Sequence, residues 1–155
     1  MKKLVIIFVA VALLIGASLL FWPRSHATPA NIASFHRESD ALVHAAKMAT
    51  LSCYMFADDH TNQLPASFAQ LNTSRQKTEL SDANWEFVAS GDKDSFTNPD
   101  VTIYFLEKEP RHSPDGTFAR VYATVNGRVF LLTSTGRDFT AVERQRGFLI
   151  RRATN

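Results

Sequence analysis

Apolar residues run from Leu4 to Trp22, a stretch of 19 preceded by Lys2 and Lys3 and followed at once by Pro23. A run of this length is about enough to span a bilayer, and it is longer than the core of most signal peptides. Ser25 and Ala27 stand at the −3 and −1 spacing that a signal peptidase reads, so two outcomes stay open. Residues 1–27 are either a cleaved signal peptide or a retained membrane anchor, in which case residues 4–22 hold the protein in the membrane. Both place residues 28–155 outside the cytoplasm, because the lysines stay inside.

From Asn31 to about Ala57, Phe35, Leu42, Ala46, Ala49, Cys53 and Phe56 recur at steps of seven, four, three, four and three. That period predicts a long amphipathic helix with one buried stripe. Its C-terminal half is expected to pack on the rest of the domain, and its N-terminal half around Phe35 to project towards the membrane or a partner. Asp58-Asp59-His60-Thr61-Asn62 ends the helix in a polar turn, Leu64-Pro65 starts a new direction, and a short helix or turn follows at Ser67 to Leu71. Residues 72–100 are polar apart from an island at Trp85 to Ala89, which reads as a strand.

Period-two patterning takes over at Val101 to Leu106, and a turn is expected at Pro114-Asp115-Gly116. Phe118 to Val125 and Arg128 to Thr133 then flank Asn126-Gly127, the dipeptide suited to a two-residue type I′ turn. Such a turn pairs Val121 with Leu132 and Ala123 with Phe130 on one face, the face expected to meet the helix. Asp138 to Arg146 predicts a short capped helix, with Phe148, Leu149 and Ile150 docking it back. The fold class is therefore α+β, with residues 28–155 forming a single domain whose long helix packs on a small antiparallel sheet.

Charge changes this picture in one respect. The chain carries +2 overall, but removing Lys2, Lys3 and Arg24 leaves fourteen bases against fifteen acids. A near-neutral domain lacks the basic surface that phosphate binding needs, so nucleic acid is excluded as a partner. Residues 58–100 hold eight acids against three bases, and residues 128–155 hold six arginines against two acids. These regions either face one another or are solvated. Cys53 is the one cysteine, which rules out an intramolecular disulfide.

No set of residues carries a catalytic signature. Asp58, Asp59 and His60 are consecutive, so their side chains splay, and a turn with a helix cap is the expected role. Calcium is the alternative there, through Asp58, Asp59, Asp92, Asp94 or Asp100, because it accepts oxygen ligands from loops. His36 and His44 lie two helical turns apart and cannot chelate together. Cys53 falls in the buried stripe, where a thiol packs as a small hydrophobe. Glu107 and Glu109 alternate on one strand as a possible carboxylate pair, with a solvated strand end as the expected reading. Trp85 and Phe87 share a strand face and are assigned to the core. No Gly-x-Ser-x-Gly elbow or phosphate-cradling glycine loop occurs. Catalytic, cofactor-binding and metal-ligating residues are all predicted to be none, and no cofactor is expected.

The stretch Cys53-Tyr54-Met55-Phe56-Ala57-Asp58-Asp59-His60-Thr61-Asn62-Gln63-Leu64-Pro65 resembles the helix end of bacterial pseudopilin-like proteins. Glu107 to Pro110, Ser113 to Tyr122 and Asn126 to Val129 are similar to the final hairpin of the same family. The resemblance extends over about residues 31–134, and it matches the element order of type IV pilins and type II secretion pseudopilins. One departure is plain: Gly16 precedes Ala17 and no acid occurs before Glu38, so the prepilin peptidase motif is lacking. The resemblance implies a pilin-like head and a non-enzymatic, structural or accessory subunit of a secretion or pilus-like assembly. Its partners would be proteins at the cell envelope, and it would be periplasmic or inner-membrane anchored facing the periplasm. The alternative is a free periplasmic binding or inhibitory module of the same fold.

Overall fold

A computed structural model describes residues 27–73 and 78–150. The segment assigned to the signal peptide or anchor lies outside the described residues except for Ala27. Among the described residues no helix is long and apolar enough to cross a membrane.

Helix α1 spans Pro29–Asp59. Its start is set by Thr28, whose Oγ1 accepts from the Asn31 amide at 3.3 Å, and by Pro29, whose fixed φ suits the first turn. Its end is set by Thr61 and Asn62, both left-handed at φ 52° and 65°, which reverse the chain. The buried positions are Ser39, Ala46, Ala49, Thr50, Cys53 and Ala57. All are small, so the helix lies close on the sheet, while Leu42 and Phe56 of the expected stripe wedge its margins half-buried. Phe35 does not project freely as expected. It is half-buried beneath the Arg111 guanidinium, 5.3 Å from the ring centre.

After α1, β1 (Gln63–Leu64) pairs with β3 (Gly91–Asp92), and helix α2 (Phe68–Thr73) packs Phe68 and Leu71 inward. The main sheet is antiparallel: β2 (Trp85–Phe87) pairs with β4 (Ile103–Glu107), and β4 with β6 (Phe118–Thr124). Strand β5 (Arg111–His112) continues the β4 side of β6 beyond the corner at Pro110. Strand β7 (Val129–Ser134) covers the other side of β6. Helix α3 (Thr140–Gln145) follows, and Asp138 Oδ1 accepts from the Thr140 amide at its start, 2.9 Å away. Phe148 and Ile150 pack back on the sheet, and Leu149 exchanges backbone hydrogen bonds with Val101 and Ile103.

The β6–β7 register differs from the type I′ expectation by one residue. Val121 pairs with Leu131, Tyr122 with Phe130 and Ala123 with Val129. Only Gly127 of the loop has positive φ, at 88°, and its amide bonds Thr124 O at 3.0 Å while the Thr124 amide bonds Arg128 O. This is a three-residue loop, Val125-Asn126-Gly127, with glycine in the bulge position. Val125 is drawn into it because its side chain is buried and its amide bonds Thr102 O at 2.9 Å. A one-residue slip reverses faces. Val121 and Ala123 do meet α1, joined by Val129 and Leu131, whereas Phe130 and Leu132 lie in the second core beneath α3.

Candidate functional site

A linked set of partly and fully buried polar side chains lies where β4 turns at Pro110 into β5. Glu107, at the end of β4, is buried, and its Oε2 accepts the Val121 amide at 2.7 Å. Its Oε1 accepts from Arg111 Nε at 2.9 Å. Arg111 reaches on to α1, where Nη1 donates to Ser39 Oγ at 3.0 Å. Arg120 donates from Nε to Glu107 O at 2.7 Å and from Nη2 to Lys108 O, binding the corner's backbone. On the far side Arg120 Nη1 lies 3.7 Å from Glu143 Oε1, which also accepts from Tyr122 Oη at 2.8 Å. The chain of contacts thus runs from α1 through the sheet corner to α3.

Burial pushes the Glu107 carboxyl above its ordinary range, against the opposing pull of Arg111, the Val121 amide and Arg120. Burial likewise raises the Tyr122 phenol, and its hydrogen bond to Glu143 adds to the rise. A groove of about 360 Å³ opens beside the corner, with Leu42, Trp85, Glu107 and Arg111 in its wall. Arg111 Nη2 is buried with no partner among the described residues. The Glu107 carboxylate and the other guanidinium nitrogens named above are engaged by backbone, Ser39 or a charged neighbour, an arrangement that clamps elements together rather than activating a proton donor or nucleophile.

Residues singled out from the sequence are dispersed. Asp58 pairs with Lys93 at 3.2 Å, Asp92 accepts the Asp94 amide at 2.9 Å, and Asp94 accepts from Asn62. Asp100 accepts from Asn126. Among the described residues no three His, Cys, Asp or Glu side chains converge on a point suited to a metal ion. His60 stacks on Phe56 at 3.8 Å and its Nδ1–H donates to Phe56 O at 2.8 Å, which closes the helix end. His36 and His44 are exposed. Trp85 is buried and Phe87 half-buried, both packed on Phe105 as core residues.

Glu107 and Glu109 do not form a carboxylate pair. The Pro110 corner leaves Glu109 exposed while Glu107 turns inward, so the solvated strand end expected there describes only Glu109. Cys53 is fully buried, and desolvation pushes its thiol up to about 12, the neighbouring Tyr104 hydroxyl pulling the other way. A thiol so shifted holds almost no thiolate near neutral pH. No family model, curated protein or solved structure matches the chain.

Sequence reasoning missed Arg111, Arg120, Ser39, Tyr122 and Glu143 as partners. The available signal was Arg120 standing between Ala119 and Val121 in an otherwise apolar strand, a placement that demands a buried counter-charge or carbonyl cluster.

Proposed function

We propose that this protein is a non-enzymatic subunit of a cell-envelope assembly, with a pilin-like head displayed by an N-terminal apolar segment. The observation that carries the reading is the 31-residue helix α1, which begins at Pro29 and lies along an antiparallel sheet completed by the β6–β7 hairpin. This order and packing agree with the resemblance of residues 53–65 and 107–129 to pseudopilin-like proteins. The occupied Glu107 corner and the protonated, buried Cys53 support a structural role, since neither offers a free acid, base or nucleophile. Without the prepilin peptidase motif, membrane attachment in this reading rests on residues 4–22 staying in place.

Intact-mass measurement of the protein recovered from envelope fractions tests this. The expected result is the whole chain of 17.3 kDa in the membrane fraction. Recovery of a soluble species beginning at Thr28 would overturn membrane attachment and favour the free binding or inhibitory module.

A further inference from the structure

Among the described residues strand β7 is the last strand on its side of the sheet, with six residues, Val-Phe-Leu-Leu-Thr-Ser. The direction of its backbone groups follows from the hairpin. The Thr124 amide bonds Arg128 O, so positions 128, 130, 132 and 134 point their amides and carbonyls at β6. Parity on β6 agrees, because the Val121 amide goes to Glu107 and the Val125 amide to Thr102, both on the opposite side. The amides and carbonyls of Val129, Leu131 and Thr133 therefore face outward, and none of them has a partner among the described residues.

Edge strands of soluble proteins are usually blunted by lysine, proline, a bulge or brevity. From Val129 to Gly136 this edge has no charge and no proline. Alongside it runs a groove of about 460 Å³ formed by Leu131, Leu132 and Thr133 with Val142, Gln145 and Arg146 of the α3 end. Arg146 is exposed and is the one charged residue in that wall, which holds no acid. Arg128, at the start of β7, is already paired with Asp100 at 3.9 Å and leaves Arg146 as the cation facing the groove.

We infer that the open edge of β7 is a docking site for an extended acidic segment of a partner protein, which adds to the sheet as a further strand. The outward ladder at 129, 131 and 133 supplies backbone hydrogen bonds. The groove, in which Leu131, Leu132 and Val142 stand beside Thr133, Gln145 and Arg146, takes alternate side chains of the added strand, and Arg146 selects for acids over bases. The inference stands on sheet geometry and is independent of the pilin-like reading.

The test uses the full chain in mild detergent and a ten-residue peptide alternating valine and glutamate. Hydrogen exchange of the Val129, Leu131 and Thr133 amides is fast in the free protein and slows about tenfold or more when the peptide is added. The Phe130 and Leu132 amides, already bonded to β6, exchange slowly throughout. Arg146→Glu weakens peptide binding about fivefold with an unchanged thermal melt, and the same peptide with lysine for glutamate gives no protection. Slow exchange at all three amides in the free protein would overturn the inference. So would protection that grows with protein concentration alone, which would identify a second copy as the occupant. Equal protection by the lysine peptide, or unchanged binding by Arg146→Glu, would overturn the preference for acids.

Discussion

Gly127→Val is expected to cost more stability than the same change at Gly116, roughly 2–6 kcal/mol in urea unfolding. Two causes add. Gly127 holds φ at 88°, which a β-branched residue adopts at about 1–3 kcal/mol. A Cβ there would also sit 3.2 Å from the Tyr54 ring, and overpacking of that kind costs roughly 1–3 kcal/mol. Tyr54 cannot swing aside without losing its hydroxyl bond to Val125 O. Gly116→Val separates the two terms, because Gly116 has φ 90° with open space around the Cβ position. It should lose only the strain. Equal losses in both variants would show that Tyr54 does not close over the loop, and an unaffected Gly127→Val would refute the three-residue loop.

Glu107→Ala should destabilise by about 3–5 kcal/mol, the usual effect of removing one partner of a buried charge pair. Arg111 would lose its counter-charge, and the buried Val121 amide would lose its acceptor. Glu107→Gln keeps an oxygen for that amide and should lose less. Burial raises the Glu107 carboxyl, so the native state holds this proton at pH values where the unfolded chain has released it. Native proton binding then exceeds unfolded binding, and this group's contribution falls as pH rises from about 4 through the raised native value. The difference in unfolding free energy between wild type and Glu107→Gln should decline across that interval. Parallel pH profiles would mean that the carboxyl is not titrating in a buried setting.

Much of this architecture was legible from residue spacing, and the failures have identifiable physical origins. Helix α1 was readable because its apolar period is long and the polar turn at Asp58 to Asn62 ends it, whereas its start at Pro29, capped by Thr28, lies two residues before the Asn31 read from the sequence. The hairpin was readable from Asn126-Gly127, but its register was not. The dipeptide fixes where the chain turns, whereas burial of Val125 and its bond to Thr102 decide the loop length, and Thr102 is 23 positions away in sequence. The corner cluster was hidden for the same reason. Glu107 and Arg111 are close in sequence, but their burial depends on Ser39 of α1 and on the Val121 amide of β6, contacts that no local pattern records. The solvated strand end expected at Glu107 and Glu109 holds only for Glu109, because β4 ends at Glu107 and the alternation stops there.

The pilin-like head requires α1 to close one face of the sheet through Ala46, Ala49, Cys53 and Ala57. Thiol labelling of Cys53 measures this directly, because that sulfur lies under the helix with no exposed surface and a pKa of about 12. With a maleimide in excess at neutral pH, the native protein should label only as fast as it opens, orders of magnitude more slowly than in denaturant. Labelling of the native protein at the rate of the unfolded chain would mean that α1 does not lie on the sheet. The pilin-like head, and the assembly role inferred from it, would then have to be abandoned.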